Sequence, residues 1–195
     1  MTRARRAEDW DLDLANAREA EAEFAAILGR DGRLEDLTDH TRDFERLDFS
    51  FTYEDMRVFV DLKEKRKPYS LDVASLWPEV LPSDLFILDE TVYRRIVWQG
   101  GGGYLVVHDH PGERWAIFGP WQMTLGPRVR YQRWGQKSGP AFAKGKLLLD
   151  LTTAARTSRR FNVHDLLMVV HESVRGRDQV APIDIPGYEV EDPYS

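Results

Sequence analysis

Hydrophobic and polar residues alternate along two neighbouring stretches, residues 45–53 and 56–63, and this alternation predicts a β-hairpin. The stretches are separated by Glu54 and Asp55, which fit a two-residue hairpin loop, so opposite positions sum to 109. One face of the predicted hairpin is wholly apolar and is expected to belong to the core: Leu47, Phe49, Phe51, Tyr53, Met56, Val58, Val60 and Leu62.

The other face of the hairpin gathers charged residues of both signs. In the same register Asp48 faces Asp61 and Arg46 faces Lys63, while Lys63 is the diagonal neighbour of Asp48. A three-residue loop would shift this register by one position, but the alternation within each strand supports the two-residue loop. We expect this polar face to border a cleft, and we expect a substitution of Lys63 to leave folding nearly intact.

The rest of the chain predicts a mixture of helices and strands. An apolar stripe predicts a first helix over residues 11–28, ended by Gly29 and formed by Ala17, Ala20, Phe24, Ile27 and Leu28. Further elements are predicted as helices at 90–99 and 163–174 and as strands at 104–108, 115–118, 128–134 and 146–151. Asn162 is the expected N-cap of the last helix, which should stop near Gly176.

This order of elements predicts one α/β domain over residues 1–176, followed by an extended C-terminal tail over residues 177–195. Residues 30–43 are polar and turn-rich, and residues 66–89 mix proline and serine with short apolar pieces. We therefore expect a single core with no second domain boundary.

Composition narrows the classes of protein that fit. The 195 residues contain no cysteine, which excludes disulfides and cysteine-based zinc sites. No stretch has the roughly 18 consecutive apolar residues of a membrane span, and the N-terminal residues do not resemble a signal peptide, so we expect a cytoplasmic protein without a membrane partner. The net charge of −6 argues against bulk coating of nucleic acid but allows a local basic patch.

The two facing carboxylates of the hairpin indicate a chemistry. Asp48 and Asp61 repel each other unless a positive charge lies between them, and Mg²⁺ prefers one or two carboxylates as ligands. Lys63 lies two residues after Asp61 on the same face, where it could approach a scissile phosphate. A metal ion and a lysine together offset the charge that develops during phosphodiester hydrolysis.

At these positions the sequence resembles the PD-(D/E)xK nuclease superfamily. The strand Val58-Phe59-Val60-Asp61-Leu62-Lys63 matches its apolar–apolar–(Asp/Glu)–x–Lys pattern, and Asp48 lies thirteen residues upstream of Asp61. Glu21 is the candidate for the acidic residue of the first helix, with Glu19 and Glu23 as rivals. The resemblance covers residues 15–120, with Leu47 in place of the usual proline.

The resemblance implies a restriction-endonuclease-like core, a central mixed β-sheet flanked by helices. It also implies Mg²⁺ or Mn²⁺ held by Asp48, Asp61 and the backbone carbonyl of Leu62. Lys63 would be catalytic, together with the two aspartates and Glu21. The implied activity is metal-dependent cleavage of nucleic acid, with DNA favoured over RNA, and a homodimer or a partner protein is left open.

Basic residues that could contact phosphates occur in three groups, of which the first directly follows the candidate site. They are Lys65, Arg66 and Lys67, then Arg128, Arg130 and Arg133, then Arg156, Arg159 and Arg160. The sequence itself offers a simpler explanation, since arginine is the more common cation along the whole chain.

Three alternatives stay open. The charged hairpin face could be a solvated surface whose Asp–Lys and Asp–Arg pairs satisfy one another. The domain could keep the fold but be catalytically silent, serving as a nucleic-acid-binding or protein-binding module. The motif could also be accidental in an unrelated α/β protein.

Other candidate sites have less support. His108-Asp109-His110 lies at a turn without a recognisable third metal ligand, and the sequence contains no P-loop and no nucleophile elbow.

Overall fold

The computed structural model describes residues 7–43, 45–135 and 142–179, and its strands form two β-sheets. Its helices are α1 (Ala7–Leu28), α2 (Leu71–Ala74), α3 (Glu90–Trp98), α4 (Pro120–Leu125) and α5 (Val163–Gln179). Its strands are β1 (Glu35–Asp39), β2 (Phe49–Tyr53), β3 (Met56–Lys65), β4 (Leu85–Asp89), β5 (Gly103–Asp109), β6 (Arg114–Phe118), β7 (Arg128–Gly135), β8 (Phe142–Asp150) and β9 (Arg156–Ser158).

The larger sheet is mixed and has six strands in the order β1-β2-β3-β5-β6-β9. Its strand pairs are antiparallel except β3–β5, which is parallel. A parallel pair requires a crossover connection, and here the chain between β3 and β5 contains α2, β4 and α3. The smaller sheet is antiparallel, with the order β4-β8-β7. The molecule is therefore a mixed α/β protein with a central mixed sheet flanked by helices.

The predicted hairpin is present in the predicted register. Phe49 pairs with Val60, Phe51 with Val58 and Tyr53 with Met56. The loop residues Glu54 and Asp55 have φ angles of 47° and 62°, the left-handed backbone that a two-residue type I′ turn requires at both positions. The first strand is shorter than predicted, however, because β2 begins at Phe49 and residues 45–48 leave the ladder.

Two apolar layers cover the two faces of the larger sheet. Phe49, Phe51 and Val60 pack on one face together with side chains of α1 and α5. Leu105, Val107, Ala116 and Phe118 pack on the other face with residues of α3, α4, β4 and β8. Leu47 was predicted beside Leu62, but it belongs to this second layer, because the chain has left the regular pleat before Phe49.

The helix predictions are largely confirmed. Phe24 and Leu28 of α1 are fully buried, and Asn162 caps α5 through its side-chain oxygen, which accepts a 2.8 Å hydrogen bond from the Asp165 backbone N–H. Several boundaries differ from the prediction: α1 begins at Ala7 and not at residue 11, and β8 begins at Phe142 and not at residue 146. The turn-rich segment 30–43 contains β1, and α5 continues past Gly176 to Gln179, so residues 177–179 are helical and not extended. Residues 180–195 of that tail lie outside the described residues.

Among the described residues, no helix combines the length and the apolar character that crossing a bilayer requires.

Candidate active site

Asp48 lies just before β2 and joins the sheet through its side chain. Its backbone carbonyl accepts a 2.8 Å hydrogen bond from the His40 N–H, which anchors the segment next to β1. Its carboxylate oxygen Oδ2 accepts a 2.9 Å hydrogen bond from the Leu62 backbone N–H. The Asp48 carboxylate therefore accepts the hydrogen bond that a backbone carbonyl would accept if β2 were longer.

Lys63 brings the candidate residues together at one point. Its ammonium nitrogen Nζ lies 2.6 Å from Asp61 Oδ2 and 3.2 Å from Asp48 Oδ2. The same nitrogen donates a 2.9 Å hydrogen bond to the carbonyl of Leu62. The contact with Asp61 is an ion pair without hydrogen-bond geometry, since this buried oxygen accepts no well-aligned bond. The two carboxylates and the carbonyl expected to act as metal ligands thus all surround one cation.

Asp61 is buried, whereas Lys63 is partly exposed to solvent. The Asp61 side chain is 4% exposed and the Lys63 side chain 33% exposed, so the site reaches solvent on the lysine side. The expectation of a face open to a cleft is thus wrong for Asp61. Burial raises the pKa of Asp61 to about 6, and the nearby Asp48 adds to this rise, while Lys63 and Arg95 oppose it.

Lys63 stays charged in this setting. Burial alone would lower the pKa of the Lys63 ammonium, but Asp61 and Asp48 outweigh burial and raise that pKa well above its usual range. Lys63 is therefore held as a cation by the two carboxylates, and its removal would leave Asp61 buried without its partner. This corrects the expectation that a substitution of Lys63 leaves folding nearly intact.

Glu21 of α1 belongs to the same electrostatic group. Burial raises the pKa of Glu21 to about 7, and the negative charges of Asp48, Asp39 and Asp61 contribute to the rise, while Lys63 opposes it. The rival residues Glu19 and Glu23 are exposed, whereas Glu21 is half-buried. Of the three glutamates proposed from the sequence, Glu21 is therefore the one that couples to the site.

Two members of this group were missed by the sequence reasoning. Asp39 comes from β1, which was interpreted as part of a turn-rich segment, and its negative charge raises the pKa of Glu21. Arg95 comes from α3 and lowers the pKa of Asp61. The alternating hairpin pattern contains no signal for either residue, because both reach the site through tertiary packing of other elements.

The first basic group divides between the interior and the surface. Lys65 was expected to contact phosphate, but it is only 2% exposed, and its ammonium lies 3.4 Å from the buried Asp109 carboxylate and donates to the Ser83 carbonyl. This expectation is corrected, because the buried ammonium of Lys65 has no access to a ligand. Arg66 and Lys67 are exposed, although the Arg66 guanidinium pairs with Glu64 at 2.7 Å.

The second basic group lies on β7, in the smaller sheet. Arg128 donates to three backbone carbonyls at the end of α4 and lies over the Tyr93 ring, so its main contacts are structural. Arg130 is 62% exposed and pairs with Glu90 at 3.0 Å. The side chain of Arg133 lies outside the described residues. Arg130 therefore presents its guanidinium at the surface, where it is paired with Glu90.

A second cluster of ligand-type side chains lies where the end of β3 meets the end of β5. The ligand atoms of Glu64, His108 and His110 lie within 4.8 Å of one another. The sequence reasoning found no third ligand for the two histidines. The missing signal was the parallel pairing of β3 with β5, which puts Glu64 directly opposite His108. In the described parts of the chain, this is the one set of three such side chains whose ligand atoms lie this close together.

Comparison with known proteins assigns no family. No family model matches the chain, and neither the curated proteins nor the solved structures give a significant match.

Proposed function

We propose that the chain is a metal-dependent phosphodiesterase of the PD-(D/E)xK kind that cleaves nucleic acid, with DNA favoured over RNA. The observation that carries this proposal is the contact of Lys63 Nζ with Asp48, Asp61 and the Leu62 carbonyl. The order of elements also supports a restriction-endonuclease-like core. A helix bearing Glu21 precedes an antiparallel hairpin, and the second hairpin strand pairs in parallel with β5.

The residues at the site fit a hard divalent cation. Asp48, Asp61 and the Leu62 carbonyl offer only oxygen atoms, which Mg²⁺ and Mn²⁺ prefer. Asp61 Oδ2 is a buried oxygen without a well-aligned hydrogen-bond donor, as expected of an atom that serves an ionic partner. When bound, such a cation would polarise the phosphate and lower the pKa of a coordinated water. Because Lys63 contacts the same oxygens, its ammonium would have to move away from them for these residues to hold the cation.

The protein's own charged groups would act on the phosphate. In hydrolysis a water oxygen bonds to phosphorus and gives up a proton to solvent. The P–O bond to the leaving oxygen breaks, that oxygen takes up a proton, and negative charge grows on the phosphoryl oxygens in between. Lys63, released from its carboxylates and reaching solvent, would offset that charge, which is the form of stabilisation that commonly contributes most to catalysis. Arg95 supplies a second positive charge, which lowers the pKa of Asp61. Glu21 would orient the attacking water from the α1 side.

Exposed cations on the two sheets would hold the substrate backbone. Lys67 and Arg66 follow directly after β3 and are exposed, and Arg130 adds an exposed guanidinium on β7. Phosphate contacts of this kind are independent of sequence and weaken with salt. Local binding of this type is compatible with the net charge of −6, because the field near a cluster of cations differs from that of the whole molecule.

A catalytically silent binding module is the second candidate. It is favoured by one observation, the complete ion pairing of Lys63 with both carboxylates. An Asp–Lys–Asp group that satisfies itself needs no metal, and its charges could serve only to join β3 to the segment before β2. Such a module would bind nucleic acid or protein through its exposed cations and would cleave nothing.

Cleavage assays on matched variants separate the two candidates. Single-stranded and duplex DNA and RNA are incubated with Mg²⁺ or Mn²⁺ and with wild type, Lys63→Met, Asp61→Asn and Lys67→Met. We expect the first two variants to lose at least about a hundredfold in rate. Lys67→Met should keep its rate at saturating substrate and bind more weakly. Activity that persists in Asp61→Asn would show that the assignment is wrong, and inactivity of the wild type on all four substrates would favour the binding module.

A further inference from the structure

The ends of β3 and β5 place three metal-ligating side chains together, outside the site described above. Glu64 and His108 are paired across the two parallel strands. His110 follows β5, and its backbone N–H donates a 2.9 Å hydrogen bond to the Lys65 carbonyl, which fixes the turn against β3. Because side chains alternate along a strand, Glu64 points to the opposite face of the sheet from Lys63. The cluster is thus independent of the Asp48/Asp61 pair.

The three side chains are close enough to share one ion. Their ligand atoms lie within 4.8 Å of one another, and His110 Nε2 lies 2.7 Å from Glu64 Oε1. The ring centroids of His108 and His110 are 3.8 Å apart. In a tetrahedral site whose ligand atoms lie about 2.1 Å from the ion, two ligand atoms are less than 4.8 Å apart. All three side chains therefore lie within reach of one ion.

Neighbouring residues hold the ligands in place. The His108 ring stacks on the Trp115 ring, with centroids 4.0 Å apart and planes 10° apart. The Arg66 guanidinium binds the second carboxylate oxygen of Glu64 at 2.7 Å and leaves Oε1 directed at His110. Partners of this kind orient metal ligands and are part of well-formed sites. Arg66 also places a positive charge near the cluster, which weakens binding of a cation without blocking Oε1.

The protonation state of His108 suits ligation. Burial lowers the pKa of His108 to about 4, with the neighbouring His110 and Arg66 contributing in the same direction. The ring is therefore a neutral imidazole near pH 7, and the neutral form is the one that binds metals. His110 is 39% exposed, so solvent reaches the cluster from the turn side.

We propose that Glu64, His108 and His110 form a site for a divalent transition-metal ion, with Zn²⁺ as the ion that fits best. Two imidazoles and one carboxylate suit Zn²⁺ and related ions, whereas the all-oxygen group at Asp48 and Asp61 suits Mg²⁺. Three protein ligands and an exposed side leave room for water as a further ligand. The bound ion would fasten the end of β3 to the β5–β6 turn, one residue beyond Lys63.

Calorimetric titration of the metal-free chain of 195 residues with Zn²⁺ tests the proposal. We expect one ion per chain in the wild type and in Asp61→Asn, because the two sites are separate. We expect binding weakened by at least about tenfold in Glu64→Gln, His108→Gln and His110→Ala, since even outer partners of metal ligands contribute that much. His164→Ala, which changes an exposed histidine of α5, is the matched control and should bind as the wild type does.

A second measurement covers the risk that a variant folds poorly. His110 is the most exposed of the three ligands, so His110→Ala should keep the melting temperature of the metal-free protein and lose the Zn²⁺-induced rise. Co²⁺ in place of Zn²⁺ should give visible absorption that disappears in His110→Ala. Unchanged Zn²⁺ affinity in His110→Ala, or loss of the ion in Asp61→Asn alone, would overturn the proposal.

Discussion

Replacing Lys63 by methionine removes the positive charge of the site and keeps most of its side-chain volume. The ammonium of Lys63 lies between Asp61, whose side chain is 4% exposed, and Asp48, whose side chain is 16% exposed. Breaking a fully buried ion pair by removing one partner costs about 3–5 kcal/mol. Lys63 itself is 33% exposed, so solvent screens part of this interaction, and we expect a loss of about 2 kcal/mol of unfolding free energy at pH 8.

The loss should depend on pH in a known direction. The folded-state pKa of Asp61 is already raised to about 6 from an ordinary 3.8, and removing Lys63 raises it further. A carboxyl with a raised folded-state pKa stabilises the fold below its unfolded pKa, and this stability is lost as pH rises through the folded pKa. Lys63→Met should therefore approach wild-type stability near pH 4 and fall furthest behind it at pH 8.

Thermal and urea unfolding in the presence of a chelator measure this difference. For a chain of this size about 2 kcal/mol corresponds to a fall of about 4–8 °C in melting temperature. Asp61→Asn combined with Lys63→Met should recover much of the loss, because the unpaired buried charge is then absent. Equal urea midpoints for wild type and Lys63→Met at pH 8 would refute the electrostatic role assigned to Lys63.

Three further substitutions test other parts of the structure. Lys65→Met should cost about 1–3 kcal/mol in urea unfolding, because the buried Asp109 loses one cation but keeps its ion pair with Arg114. Exposed Lys67→Met should stay within about 0.5 kcal/mol. The pKa of Glu21 is raised in the folded state to about 7 from an ordinary 4.5, so its stabilising contribution is lost as pH rises through 7. Glu21→Gln, which stays neutral, should therefore match the wild type at pH 4 and melt at a higher temperature than the wild type at pH 8 in the presence of a chelator. Asn162→Ala should lower the unfolding free energy by about 1 kcal/mol, because the Asp165 N–H loses its cap.

The hairpin was predictable because its signals are local. A period of two fixes which residues share a face, and a two-residue loop fixes the register, so the pairing of Phe49 with Val60 follows from the sequence. The same information puts Asp61 and Lys63 on one face. It does not show that the chain leaves the ladder before Phe49, a departure that lets the Asp48 carboxylate bind the Leu62 N–H.

The burial of Lys65 shows what a two-stranded pattern leaves out. Asp61, Lys63 and Lys65 share one face of β3, and the hairpin alone suggests that this face is solvated. In the sheet β3 also pairs with β5, whose Leu105 and Val107 lie opposite Asp61 and Lys63 and belong to a buried layer. The polar face is therefore largely interior, and the partners that make this tolerable, such as Asp109, come from outside the hairpin.

The burial of this face gives the D-x-K spacing a physical meaning beyond the motif. An aspartate on a solvated strand needs no partner, and its spacing from a lysine would carry little information. Asp61 is 3% exposed, so its charge must be compensated, and Lys63 does this from the next position on the same face. A site in which a buried carboxylate depends on one movable ammonium is suited to exchange that ammonium for a metal ion.

The unfolding of Lys63→Met with and without Mg²⁺ therefore bears on function as well as stability. A metal ion that replaces the missing charge should restore much of the lost stability, whereas a purely structural ion pair should remain broken.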